Sequence, residues 1–321
     1  MVVGGIPMST SNKAAKSIFI IIIFSLGSKF LGFIREILIA AKFGAGMETD
    51  TYFIAIGITT LLTAILSNAI TTTFIPVLSE VEAKEGRQGK IKHTNNMINI
   101  IFFLSIIIVI IAWFLSPILI KLMAKGFYGE QYNLAVKLLR IGLPIVVFSG
   151  MVGTLTAFLQ SEQRHYSSAA IGFPFNTVYI FFLIFLSSKF GIRGLMVASV
   201  IAVMSQLLIQ IPDARKADYR YKFVFDINDE YIKKALYLSI PVLIGVAIND
   251  LNVIVDRTLA SYLVAGSISA LNYANKLNGL VLGVFVTAIT TVVFPLLSKE
   301  FSNDNIRGVK KIMGFGESSP K

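Results

Sequence analysis

Apolar residues run along this chain in blocks about as long as a bilayer is thick, with short polar segments between them. Eight such blocks are legible, over roughly 15–42, 49–78, 97–121, 134–160, 166–187, 191–212, 233–262 and 268–297. A helix needs about 20 mostly apolar residues to cross the hydrocarbon layer. The pattern therefore predicts an all-α polytopic membrane protein rather than a soluble protein with one large core. Gly32, Pro144, Gly172, Pro174 and Pro241 interrupt several blocks. Membrane helices tolerate such breaks, and transporters use them.

The polar segments differ in charge. With the N-terminus inside, the cytoplasmic segments carry 17 Lys and Arg residues and the outer segments five. Cytoplasmic loops are the basic ones, so the N-terminus is expected in the cytoplasm. Lys13 and Lys16 precede the first apolar run in the manner of a signal peptide. That run has no small-residue cleavage site and continues through Lys29 and Arg35, so it reads as a retained first span.

The chain also repeats itself. Residues 69–80 read AITTTFIPVLSE and residues 288–299 read AITTVVFPLLSK, seven of the twelve positions being identical at an offset of 219. Each copy ends a predicted span on the cytoplasmic side and is followed by a basic, amphipathic segment. Six spans separate the copies, so both enter the membrane in the same direction, as parallel repeats. This predicts a complete six-helix N-lobe over 1–225 and the first two helices of a C-lobe over 226–321. The third span of the second copy would begin near residue 318, so the sequence reads as C-terminally truncated.

Composition supports the membrane class. The chain is 55% hydrophobic and 15% charged, with a mean hydropathy of +0.74. Soluble domains run near 25% charged. The net charge of +11 fits loops facing anionic headgroups better than nucleic acid, which is not expected as a partner. Without cysteine there is no disulfide framework, Cys-based metal site or Cys nucleophile. The two histidines, His93 and His165, fall in predicted loops. No Gly-rich phosphate loop, HExxH or GxSxG occurs, and nothing points to hydrolysis.

Charges inside the predicted spans are the candidates for function, because each costs at least ~2.5 kcal/mol to insert. They are Lys29, Arg35 and Glu36 in the first span, Asp50 opening the second, Lys137 and Arg140 in the fourth, Asp250, Asp256 and Arg257 in the seventh, and Lys276 in the eighth. Two repeats each bringing cations to a shared interface would form a basic cavity, suited to a phosphate-bearing amphiphile.

These residues lie in recognisable surroundings. The segments SKFLGFIREILIAAKFGAGMETDTYFIA (28–55), GSISALNYANKLNGLVLG (266–283), PVLSE (76–80) and PLLSK (295–299) resemble the MurJ/MviN lipid II flippases. The resemblance runs through the whole chain in helix order. It implies a multidrug/oligosaccharidyl-lipid/polysaccharide exporter fold and transport of lipid II, the peptidoglycan precursor, between leaflets of the bacterial cytoplasmic membrane, so a transporter and not an enzyme. It further implies that Arg35, with Lys29 and Lys276, meets the substrate in the cavity, that Glu36 is the acidic neighbour of Arg35, and that Asp50 with Ser269 closes the outer side. Asp256 falls where some members place a sodium-site acid; sodium or membrane potential is the implied driving force, with no other cofactor. Lipid II or a similar undecaprenyl-pyrophosphate lipid, membrane lipids and cell-wall synthesis proteins are the implied partners. Lys29 and Lys276 replace arginines of the family, Thr63 a cavity Arg and Gly279 a Glu. Other readings are an exporter of another lipid-linked oligosaccharide, a membrane glycan polymerase, and a non-transporting fragment.

Overall fold

The computed structural model describes residues 8–302 and 305–314, and every regular element among them is helical. In chain order the helices are α1 (Met8–Phe43), α2 (Met47–Met123), α3 (Gly129–Gly142), α4 (Pro144–Ser161), α5 (His165–Ala170), α6 (Gly172–Phe181), α7 (Ser187–Lys216), α8 (Glu230–Ala260), α9 (Ser267–Ser302) and α10 (Ile306–Met313), with a π-helical turn over Phe182–Leu186 before α7. The expected start of a third span near residue 318 and the side chain of Asp250 lie outside the described residues. The chain forms two compact units, 1–272 and 273–321.

The predicted blocks appear as helices, with one informative difference. The basic segment between the second and third blocks is not a loop. Both helices extend into it and meet at Gly86, where φ is +69° and ψ −170°. Glu, Ala, Lys and Gln favour helix on both sides, and glycine supplies the left-handed φ that turns the chain. Gly191, at φ +56°, similarly separates the fifth and sixth blocks within α7. Pro144 divides the fourth block into α3 and α4, and the Gly172–Pro174 region divides the fifth. Among the described residues, three continuous helical stretches are long and apolar enough to cross a membrane: Ile70–Met123, Gly129–Ser161 and His165–Lys216.

A core of Phe74, Leu78, Met97, Ile101, Phe158, Tyr219 and Ile232 joins both arms of α2 to α4, the residues after α7 and the start of α8. Around it the basic end of the bundle is tied by buried polar groups. Lys90, only 1% exposed, pairs with Glu82 at 2.7 Å and Glu162 at 2.6 Å. Arg87 reaches Glu162 at 3.1 Å.

The linker from α7 to α8 is fastened by three asparagines of α2. Asn95 donates to the Arg220 carbonyl at 3.1 Å and accepts from the Tyr219 hydroxyl at 2.6 Å. Asn96 donates to the Asp226 carbonyl and accepts from the Asp226 N–H, both at 2.8 Å. Asn99 donates to the Val224 carbonyl at 2.8 Å and accepts from the Tyr221 hydroxyl at 2.7 Å. Side-chain amides thus supply the donors and acceptors that an extended segment normally finds in a neighbouring strand. Where the linker ends, Asp229 caps α8 by accepting from the Tyr231 and Ile232 N–H groups, and also binds His93 Nδ1 at 2.6 Å. Glu85 holds the other nitrogen of His93 at 3.0 Å. Burial works against a charge on His93, but the hydrogen bonds to Asp229 and Glu85 outweigh it and raise its pKa. Burial likewise opposes the Asp229 charge, and the bonds from His93 and Asn96 outweigh that and lower its pKa.

Candidate functional site

Arg35 stands on α1, and the broken helix α5–α6 is what holds it. Its Nη2 pairs with Glu36 at 2.6 Å, and its Nη1 donates to Asn176 Oδ1 at 3.2 Å. The Asn176 amide is oriented from behind: its Nδ2 donates to the Gly172 carbonyl at 2.8 Å and the Ser28 carbonyl at 3.2 Å. That orientation leaves only the oxygen for Arg35. The guanidinium lies 5.3 Å from the Phe175 ring centre and 5.0 Å from that of Tyr179, within cation–π range. The Tyr179 hydroxyl continues to Tyr52 at 3.2 Å, and Tyr52 to Ser199 at 3.1 Å. Arg35 Nε and Glu36 Oε2 are buried with no partner. The arginine side chain keeps 16% of its exposure. A guanidinium fixed in this way retains hydrogen-bonding capacity for an incoming anion.

The second predicted pair also meets. Asp50, in the first turn of α2, accepts from the Ser269 hydroxyl at 2.5 Å. The carboxylate does more than that. One oxygen also accepts from the Ser269 N–H at 2.7 Å, and the other from the Gly266 N–H at 2.6 Å. Asp50 is therefore a helix cap supplied from another helix. It satisfies orphan donors at the start of α9 and places a negative charge at the positive end of that helix. Gly266 has φ +100°, and a Cβ there would lie 2.7 Å from the Ala45 carbonyl oxygen. Only glycine permits this approach.

The remaining predicted residues are described each in its own surroundings. Lys29 is exposed on α1 and makes no ion pair among the described residues. Lys276 is exposed on α9, within the second compact unit. Asp256 is exposed on α8, and no group of three or more His, Cys, Asp or Glu side chains that could hold a metal occurs among the described residues. The neighbouring Arg257 packs onto the backbone of α2 at Gly57, where a Cβ would overlap the guanidinium. Arg140 lies 5.2 Å from the Trp113 ring, as in an interfacial anchor.

Sequence reasoning missed Asn176, Tyr179, Tyr52 and Ser199. A signal for Asn176 was present, namely one amide inside the apolar run GFPFNTVYIF. A polar group at that depth needs partners.

The family profile described as lipid II flippase MurJ matches residues 39–317. A probable lipid II flippase MurJ of Buchnera aphidicola is 30% identical over 306 residues, covering 94% of this chain and 60% of its own length. The corresponding protein of Vibrio cholerae is 28% identical over 325 residues, covering 96% and 61%. Among solved structures, a lipid II flippase MurJ in an inward closed conformation superposes with a TM-score of 0.74 at 27% identity, covering 89% of this chain and 60% of that one. An inward-facing multidrug resistance MATE family transporter of the MOP superfamily superposes with a TM-score of 0.67 at 14% identity, a likeness of fold alone. The chain spans about 60% of the length of the curated relatives it matches. Its helices follow the order of that fold, the profile covers most of its length, and it belongs to the lipid II flippase MurJ family.

Proposed function

We propose that this chain forms part of a transporter that moves lipid II from the inner to the outer leaflet of a bacterial cytoplasmic membrane by alternating access, with its N-terminus in the cytoplasm. The observation that carries this reading is Arg35. A cation on a membrane-spanning helix is retained against the cost of insertion, and here it is braced by Glu36, Asn176 and two rings with its Nε still unpaired. An oriented guanidinium suits a pyrophosphate, which it grips through two parallel hydrogen bonds. Glu36 balances the charge while no anion is bound and gives up its share of the guanidinium when the headgroup arrives. Asp50, capping α9 at the end away from the basic loops, holds the outer side closed in this scheme.

The driving force is membrane potential or sodium, and cell-wall synthesis proteins are the expected partners. The test is growth of a flippase-depleted strain carrying the full-length protein with Arg35→Ala or Arg35→Lys. Alanine is expected to abolish growth. Lysine is expected to restore little, because a point charge cannot engage Glu36, Asn176 and a phosphate together. Normal growth with Arg35→Ala, at wild-type membrane levels, would overturn the role of Arg35.

A further inference from the structure

A second candidate site lies away from Arg35 and Asp50, at the basic end of the bundle. A cavity of about 710 Å³ opens between the second arm of α2, α4, the end of α7 and the asparagine-held linker. That volume falls within the ~300–1,000 Å³ usual for small-ligand sites. Its wall is apolar, with Ile98, Phe102, Leu155, Leu207 and Ile211 among the contributors. At its mouth stand Arg215, in the last turn of α7, and Arg220, in the linker.

Both arginines are exposed, and neither guanidinium makes a hydrogen bond or ion pair among the described residues. Of the acids near them in sequence, Asp213 is occupied by Arg164 at 2.8 Å and by the Ser167 hydroxyl. The surrounding segment DARKADYRYK is net basic.

The linker wall is fixed. The Tyr219 and Tyr221 hydroxyls are bound to Asn95 and Asn99, which orients their rings along the cavity. Phe103 stacks edge-on against Phe225 at 5.1 Å between ring centres. On the outer surface Phe103, Leu208 and Phe223 are exposed, as is expected of residues facing acyl chains. The site is therefore apolar within, bordered by exposed apolar side chains and doubly cationic where Arg215 and Arg220 line it.

We propose that this cavity binds one anionic glycerophospholipid, with an acyl chain against Leu155 and Ile211 and its phosphate between Arg215 and Arg220. Basic side chains at a membrane surface attract anionic headgroups, and paired guanidinium groups match phosphate oxygens. The site is separate from the proposed transport path, and its failure would leave the reading of Arg35 untouched.

The test uses the full-length protein in vesicles of phosphatidylcholine that hold a trace of either phosphatidylglycerol or phosphatidylcholine with a photoreactive acyl chain. Cross-linked peptides are then identified by mass spectrometry. Phosphatidylglycerol is expected to label the peptides containing residues 98–103 and 207–223 at least tenfold more than the phosphatidylcholine probe does. Arg215→Gln with Arg220→Gln, both at exposed positions, is expected to reduce this labelling about tenfold. Ile211→Trp, which narrows the cavity where the acyl chain would lie, is expected to reduce it severalfold while thermal unfolding shows the protein folded. Equal labelling by the two probes, or undiminished labelling of the double Gln variant, would overturn the proposal.

Discussion

The contact of Asp50 with the start of α9 yields a quantitative ordering of variants. Asp50 accepts three hydrogen bonds, two from the backbone of Gly266 and Ser269 and one from the Ser269 hydroxyl. Hydrogen bonds to a charged group contribute about 1.5–3 kcal/mol each, and less than additively when they share an acceptor. Asp50→Ala removes all three and leaves two backbone donors unsatisfied, so it should weaken the contact by about 3–6 kcal/mol. Asp50→Asn keeps one acceptor oxygen and loses the charge opposite the helix terminus, for about 2 kcal/mol. Ser269→Ala removes only the hydroxyl bond, for about 1–2 kcal/mol.

The chain contains no cysteine, so a single engineered thiol reports cleanly. Thr49 is fully buried beside Asp50, and Thr49→Cys should be protected from a membrane-impermeant maleimide. Relative to that background, labelling should quicken about 100-fold or more with Asp50→Ala, about 30-fold with Asp50→Asn and about tenfold with Ser269→Ala, at 1.4 kcal/mol per tenfold. If Ser269→Ala quickened labelling as much as Asp50→Ala does, the hydroxyl rather than the helix start would carry the contact, and the reasoning would be refuted.

Other outcomes follow from the asparagine-held linker. Asn96→Ala should speed hydrogen exchange at the Asp226 amide on the order of 100-fold, since three hydrogen bonds of about 1 kcal/mol each are lost, and exchange measured by mass spectrometry would detect it. The His93–Asp229 pair predicts a pH dependence with two limbs. The raised pKa of His93 means that its contribution is complete below about 6.5 and fades as pH climbs through the folded value. The lowered pKa of Asp229 means that its contribution is lost only in acid, as pH falls through the folded value. The difference in thermal stability between wild type and His93→Gln should therefore shrink from pH 6 to pH 9, whereas an unchanged difference would show that the imidazolium is not held.

The helical blocks were legible because the membrane imposes a length and a polarity on every crossing. Pro144 and the Gly172–Pro174 region marked breaks that the structure contains, whereas α1 runs through Gly32 and α8 through Pro241 without a break. The helical character of the segment around Gly86 was hidden by its charge, since helix-forming Glu, Lys and Gln also compose loops. The Asp50–Ser269 pairing was implied by family resemblance, but its larger part was not. The donors are backbone amides, which no residue letter represents. Asn176 and the Asn95, Asn96 and Asn99 row share a further difficulty. Apart from the Gly172 carbonyl, their partners named above lie 122 to 148 residues away, and single-sequence periodicity holds no information at that separation.

Both ends of α8 are clamped to α2. At the start, Asp229 is bound by His93 and Asn96. At the finish, the Thr258 hydroxyl donates to the carbonyls of Leu122 and Met123 at 3.3 Å, and the Gly126 N–H donates to Ser261 Oγ at 3.0 Å. The helix has 31 residues, a beam of about 46 Å at 1.5 Å per residue. A beam fixed at both supports cannot tilt or slide; it deforms by bowing. Its weakest section is near Pro241, which has no N–H to give to the preceding turn, and Gly245 follows one turn later. Deformation of α8 should therefore concentrate at mid-span, with its two ends stationary against α2.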